Sequence, residues 1–314
     1  MATAFIFPGQ GSQAVGMGKA LAEAFPVARA VFDEVDAALS QKLSTLMWEG
    51  PAEELTLTAN AQPALMTVSL AAIRVLEAEA GLSLKNDAAF VAGHSLGEYS
   101  ALAAAGTFSI GDAARLLRIR GDAMQKAVPA GEGAMAALLG VELDQARAIA
   151  ADAAEGQVCQ VANDNGGGQV VLSGAKAAIE RAIALAGERG VRRAMLLPVS
   201  APFHCALMQP AAEAMQAALA EVSMLAPVVP VMANVGAAPL SDPAAIRASL
   251  VAQVTGTVRW RECVEAMAAA GVTQFYEVGS GKVLAGLVKR IAAGATAASI
   301  GSPDDIAAYK AQKG

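Results

Sequence analysis

The stretch AAFVAGHSLGEYSALAAAG, residues 88–106, passes from a short apolar run through Gly93-His94-Ser95-Leu96-Gly97 into an alanine-rich segment that reads as a helix. A strand ending at Ala92, a glycine on each side of a sharp turn, and a helix from about Glu98 are the surroundings that a nucleophile elbow requires. The glycines relieve crowding at a strained turn, and the amino end of the helix favours negative charge beside the serine. The pentapeptide alone would also suit an ordinary serine at a helix start. The flanking strand and helix favour Ser95 as a nucleophile.

On either side of the elbow, short apolar runs alternate with long helical stretches. AFIF (4–7) is followed by helices to about residue 80, and PVVPVMAN (227–234) and TQFYEV (273–278) come late in the chain. That alternation predicts an α/β layer with a largely parallel sheet. The middle of the chain differs. GAMAALLG (133–140), a helix over about 142–154, VCQVAND (158–164), a hairpin through Gly166-Gly167-Gly168, QVVLSG (169–174), a helix over 175–189 and RRAMLLP (192–198) give the order β-α-β-β-α-β. This is the split βαβ, or ferredoxin-like, order. It predicts a small domain, residues 128–197, inserted into a larger α/β domain formed by 1–127 and 198–314.

A chain of 314 residues with 55% hydrophobic and 17% charged content can bury a large core and a smaller one. Mean hydropathy is +0.43, but alanine inflates it, and uncharged stretches of spanning length are broken by Pro, Asn, Gln or Ser, so a soluble protein is expected. The opening MATAFIFPGQ has no basic region and its apolar run stops at Pro8, unlike a leader or anchor. Three widely spaced cysteines, Cys159, Cys205 and Cys263, suit neither a disulfide framework nor a zinc site, and fit a reducing cytoplasm. The net charge of −6 favours neither nucleic acid nor an anionic membrane.

A serine hydroxyl attacks a carbonyl poorly without a base to take its proton. The chain has two histidines. His94 adjoins Ser95 on the elbow, so its side chain is expected to point away and pack behind the turn. His204, in PVSAPFHCALM, is then the base. No aspartate sits in a diagnostic motif, and a backbone or amide carbonyl can orient His204 instead. The segment GDAARLLRIRGDAMQKAV (111–128) reads as a helix with Asp112 as its N-cap. Ala113, Leu116, Leu117, Ala123, Met124 and Ala127 form its apolar stripe, Arg115, Arg118, Asp122 and Lys126 share the opposite face, and Arg120 falls within the stripe. A guanidinium there needs an anion. It is either a structural ion pair or a snorkelling side chain, or else a clamp for a substrate carboxylate. GSGK (279–282) resembles the end of a P-loop, but Val283 replaces the required Ser or Thr, and a turn into a helix is expected. Cys205 is expected to be a small buried residue rather than a nucleophile.

FPGQGSQ (7–13), GHSLGEYSAL (93–102), RGDAMQKAVPAGEGAM (120–135), SAPFHCALM (200–208) and FYEVGSGKVLAGLVKRI (275–291) together resemble the malonyl-CoA:acyl carrier protein transacylases and the related acyltransferase domains of polyketide synthases. The resemblance runs over nearly the whole chain. It implies an α/β-hydrolase-like domain carrying a ferredoxin-like insert. It implies that Ser95 is acylated, that His204 is the base, and that Arg120 clamps the free carboxylate of malonate. The backbone N–H groups of Gln10 and Leu96 would form the oxyanion hole, the Gln253 carbonyl would orient the histidine, and Asn163 would line the cleft. Phe203 would set a steric limit admitting malonyl over branched methylmalonyl. No cofactor or metal is implied: malonyl-CoA is a substrate, and the phosphopantetheine belongs to acyl carrier protein. That acidic partner would dock on basic residues, with Lys289-Arg290 and the group Arg189, Arg192 and Arg193 available. The alternatives are a serine esterase or thioesterase, which has no need of Arg120, and a non-catalytic docking protein, which forms no acyl-serine.

Overall fold

The structure, a computed structural model, describes residues 2–313. Its strands are β1 (Ala2–Phe7), β2 (Phe90–Gly93), β3 (Gly133–Leu139), β4 (Cys159–Gly166), β5 (Gln169–Ala175), β6 (Arg193–Leu196), β7 (Val231–Ala233), β8 (Ala238–Leu240), β9 (Val272–Val278) and β10 (Thr296–Ile300). The larger sheet has the order β10-β9-β1-β2-β7-β8. Its pairs are parallel except β7 with β8.

Parallel strands covered by helices on both faces read as continuous apolar runs rather than as alternation. AFIF is such a run, and Ala4 to Phe7 are all fully buried. Successive side chains still point to opposite faces. Phe5 and Phe7 join the core that contains Leu65, Leu70, Tyr99 and Leu117, whereas Ala4 and Ile6 pack with Trp260, Val264, Phe275 and Val288. The helix Thr58–Ala80 is buried along most of its length against the helix Ile110–Lys126 and the helix Pro26–Leu39.

The predicted β-α-β-β-α-β run is present over 133–196, with helices Leu143–Ala154 and Lys176–Glu188 between its strands. Its four strands form a separate antiparallel sheet of order β4-β5-β3-β6. Ala136, Leu138, Val170 and Leu172 face those two helices, while Met135 and Val171 face the main body. The two sheets are tied where β4 meets the chain at Val258: Asp164 N–H donates to Val258 O (2.9 Å) and Val258 N–H to Ala162 O (2.8 Å). The buried Asp164 carboxylate also pairs with Arg261 at 2.9 Å.

Three details differ from the sequence reading. The run 227–234 shortens to the three residues of β7, because Pro227 and Pro230 cannot donate to a ladder. Strands β8 and β10 are short edge strands with little burial, and periodicity does not mark them. The helix expected to begin at Asp112 begins at Ile110 with Ser109 as its cap. Asp112 N–H donates to Ser109 Oγ (3.0 Å) and Ser109 Oγ–H donates to Asp112 Oδ2 (2.6 Å), a closed Ser-x-x-Asp box that moves the helix start back.

Backbone crosses backbone at the elbow. A Cβ at Gly97 would lie 2.3 Å from Phe7 O, and one at Gly93 would lie 1.9 Å from Gly97 O. Gly97→Ala is expected to cost at least about 1 to 3 kcal/mol in urea unfolding. Gly187→Ala, on the exposed face of the helix Lys176–Glu188 with open space around it, is expected to gain up to about 1 kcal/mol. Equal effects at the two sites would show that the elbow tolerates a side chain.

Candidate active site

Ser95 follows β2 and precedes the helix Gly97–Ala104, with a left-handed φ of 54°. In that turn its Oγ lies 2.7 Å from His204 Nε2. His204 is buried, also has a positive φ (58°), and places Nδ1 2.9 Å from the main-chain oxygen of Gln253. A carbonyl can only accept, so Nδ1 carries the proton and Nε2 is left to accept from the serine hydroxyl. Burial, and after it the charge of Arg120, lower the His204 pKa to about 3. The imidazole is therefore neutral and able to take a proton.

Arg120 is 1% exposed, as its place in the apolar stripe requires. It neither reaches solvent nor meets a carboxylate: among the described residues it makes no salt bridge. Its Nη1 donates to Gln62 Oε1 (2.8 Å), and its Nη2 donates to Gln253 Oε1 (2.8 Å) and to Ser95 Oγ (3.1 Å). Nε is buried without a partner, and the group lies 5.7 Å from the centroid of the Tyr99 ring. Both structural alternatives for this arginine therefore fall away. Neighbouring Arg118, assigned by periodicity to the polar face, is half-buried and donates to Asn60 and Gln41.

Glu98 is buried behind the elbow, where desolvation raises its carboxyl to about 7 against the opposing effect of its hydrogen bonds to Gln253 and Asn234. Asn234 Oδ1 accepts from Ser95 N–H at 2.8 Å. Neither Leu96 N–H nor Gln10 N–H donates to another group among the described residues. Both Gln10 and Ser95 line a cavity of about 370 Å³ between the two sheets. Arg120, Asn163 and His204 complete its polar wall, and Met124, Met135, Leu197, Val199 and Phe203 form its apolar wall. Such an arrangement can bind an acyl compound that bears a carboxylate and bring its carbonyl to a serine.

All the sequence-selected residues except the basic surface groups thus meet in one place. His94 points away from Ser95, packing 5.7 Å from Trp260 with Nε2 2.8 Å from Asn165 Oδ1. Gln62, Glu98, Asn165 and Asn234 were missed. The signal that marks Arg120, a polar side chain within an apolar helix face, also marks Gln62 in TANAQPALM. The GSGK turn is not a phosphate cradle, because the buried carboxylate of Glu277 accepts from Ala285 N–H (2.8 Å) and occupies the amino end of the helix Val283–Ile291. Cys205 is fully buried, donates from Sγ to Pro202 O (3.2 Å), and has a thiol pKa raised by burial. Among the described residues no cluster of His, Cys, Asp and Glu is arranged to hold a metal, and no helix is long and apolar enough to cross a membrane.

Residues 4–304 match the acyl transferase domain family. The malonyl CoA-acyl carrier protein transacylase of Escherichia coli K12 is 48% identical over 305 residues, covering 97% of each chain. The crystal structure of an acyl-carrier-protein S-malonyltransferase from Bartonella henselae superposes with a TM-score of 0.97 at 58% identity, covering 100% of this chain and 99% of that one. A malonyl-transacylase solved in complex with its type II polyketide synthase acyl-carrier protein superposes with a TM-score of 0.96 at 41% identity, covering 99% of this chain and 100% of that one.

With only two histidines in the chain, the electrostatics of the site can be measured directly. Burial lowers the pKa of both His94 and His204. Imidazole nitrogen NMR is expected to find the His204 ring neutral from pH 8 down to about 5, and the His94 ring titrating below the ordinary histidine value of about 6.5. A ring titrating at that ordinary value would contradict the packing described for it.

Proposed function

The chain belongs to the acyl transferase family, and from that premise we propose that Ser95 and His204 carry a malonyl group from malonyl-CoA to the phosphopantetheine thiol of acyl carrier protein. The enzyme is a malonyl-CoA:acyl carrier protein transacylase serving fatty acid or polyketide synthesis. His204 Nε2 takes the hydroxyl proton as Ser95 Oγ attacks the thioester carbonyl. The Gln10 and Leu96 N–H groups receive the oxyanion. Collapse breaks the carbon–sulfur bond, and the departing CoA thiolate takes the proton back from His204. In the second half the pantetheine thiol gives its proton to His204 and its sulfur attacks the ester. Ser95 Oγ then leaves and is reprotonated. No cofactor enters beyond the two substrates, and a cytoplasmic setting suits three free, buried cysteines.

The observation that carries this reading is the buried guanidinium of Arg120, without a carboxylate and 3.1 Å from the nucleophile. An esterase for neutral acyl groups gains nothing from it. A malonyl carboxylate paired with Arg120 also offsets the positive charge that depresses His204, so the correct substrate makes its own base easier to protonate. Phe203 on the apolar wall sets the width of the acyl site, and the same wall keeps attacking water away from the ester. We read residues 128–197 as a ferredoxin-like insert in an α/β-hydrolase-like body of 1–127 and 198–314. The strand order β4-β5-β3-β6, with two helices on one face, supports that division.

Ser95→Ala is expected to take up no malonyl group, as read by intact-protein mass. Arg120→Ala leaves the substrate carboxylate unpaired and is expected to cost about 3 to 5 kcal/mol, several hundred-fold or more, in kcat/KM for malonyl-CoA. Acetyl-CoA is expected to lose little. Equal losses for both substrates would return Arg120 to a structural role.

For the carrier protein, Lys289 and Arg290 are exposed. Arg290 lies over Gly167 at the β4–β5 hairpin, and Arg192 lies over Gly140, whose N–H donates to Gly168 O. Arg189 is engaged by Asp152 at 2.5 Å and contributes less free charge than its neighbours Arg192 and Arg193. Charge reversal at Lys289 and Arg290 is expected to raise KM for acyl carrier protein and to leave acylation by malonyl-CoA unchanged. A parallel fall in both half-reactions would assign these residues to folding.

A further inference from the structure

We propose that Asn234 is a positioning residue of the acylation step, its carboxamide acting with that of Gln253 to hold the main chain of Ser95 in its left-handed conformation. The inference rests on Ser95 being the nucleophile. A φ of 54° is unfavourable for any residue bearing a Cβ, so neighbours must fix it. Here two buried amides do so, one at the N–H of the residue and one at its carbonyl, and they touch each other, with Gln253 Nε2 3.4 Å from Asn234 Oδ1. Asn234 Oδ1 accepts from Ser95 N–H (2.8 Å), and Gln253 Nε2 donates to Ser95 O (2.9 Å).

The Asn234 amide also spans the turn. Its Nδ2 donates to Gly93 O at 2.7 Å, so one carboxamide joins the carbonyl before the elbow to the N–H of the nucleophile. An acceptor and a donor in fixed relation are what those two main-chain groups need, and an aliphatic side chain supplies neither. Asn234 follows β7, which pairs with β2, and it is fully buried. Its own N–H donates to Glu98 Oε2 (3.2 Å), the oxygen that also accepts from Gln253 Nε2 (2.8 Å). One carboxyl oxygen thus keeps both amides in register. Asn234 makes no hydrogen bond to Ser95 Oγ, His204 or Arg120. Its influence on the reaction passes through the geometry of Ser95 Oγ against His204 and of the adjoining Leu96 N–H.

The test is rapid-quench labelling of Ser95 by malonyl-CoA, followed by intact mass, in the wild type, Asn234→Ala and Asn234→Asp. In Asn234→Ala the rate constant at saturating substrate is expected to fall by about tenfold to a hundredfold, with the half-saturating concentration little changed and the final extent of labelling complete. Protonated aspartic acid can accept from Ser95 N–H and donate to Gly93 O, so Asn234→Asp is expected to label faster than Asn234→Ala at acidic pH. It is expected to slow as the carboxyl ionises. Glu98, His204 and Arg120 are common to all three proteins, and the wild-type pH profile accounts for them. Labelling at the wild-type rate constant but to a reduced extent would mean that Asn234 serves stability alone and would overturn the proposal. So would an aspartate variant no faster than alanine at any pH. Wild-type labelling at a residue other than Ser95 would instead overturn the assignment of the nucleophile.

Discussion

A guanidinium removed from water without a carboxylate to meet it is the constraint around which this site is arranged. Burial of an unpaired charge costs several kcal/mol. Arg120 offsets part of that through hydrogen bonds to two neutral amides and through the face of Tyr99. The consequences spread outward. Its positive charge helps keep His204 unprotonated, and so fit to act as a base. It stands within hydrogen-bond reach of Ser95 Oγ, so on the proposed function the group that selects the acyl chain also touches the group that receives it.

Strain at Ser95 is the second constraint, and Gln253 answers both. Gln253 joins five groups: its side-chain oxygen accepts from Arg120, its side-chain nitrogen donates to Ser95 O, Glu98 and, at 3.4 Å, Asn234, and its main-chain oxygen accepts from His204. A residue at the end of the helix Pro243–Thr255 therefore joins Arg120, the Ser95 turn and His204. The small sheet takes part through Asn165, which holds His94, the residue before the nucleophile.

How much of this was legible in the sequence depended on whether a feature is local. The elbow, the β-α-β-β-α-β run and the misplaced Arg120 each show within about one element length, where period and residue type carry the information. Ser95 and His204 were paired because the chain offers only two histidines, and their 2.7 Å contact spans 109 positions that no periodicity records. Asn234 and Glu98 were not legible. Asn234 follows a three-residue strand and Glu98 looks like an ordinary first-turn acid, which the helix dipole would favour anyway. Only the meeting of β2, β7 and the helix Pro243–Thr255 turns them into one network. Strand β10 escaped for a different reason: TAASI is an edge strand with one fully buried residue, so burial leaves no pattern there.

The choice of amides around Arg120 separates holding a side chain from neutralising it. A glutamate in place of Gln62 would accept the same hydrogen bond from Nη1 and would form a stronger pair. It would also cancel the charge with which, on the proposed function, a substrate carboxylate pairs. Glutamine fixes the guanidinium and leaves its charge available. The nearby acid, Glu98, is set one residue further back, with the Gln253 amide between its carboxyl and Arg120. Burial raises it to about 7, so near neutral pH it is only partly ionised and compensates the arginine only in part. On the proposed function the site tolerates an incompletely compensated Arg120, because the anion that pairs with it arrives with the acyl group.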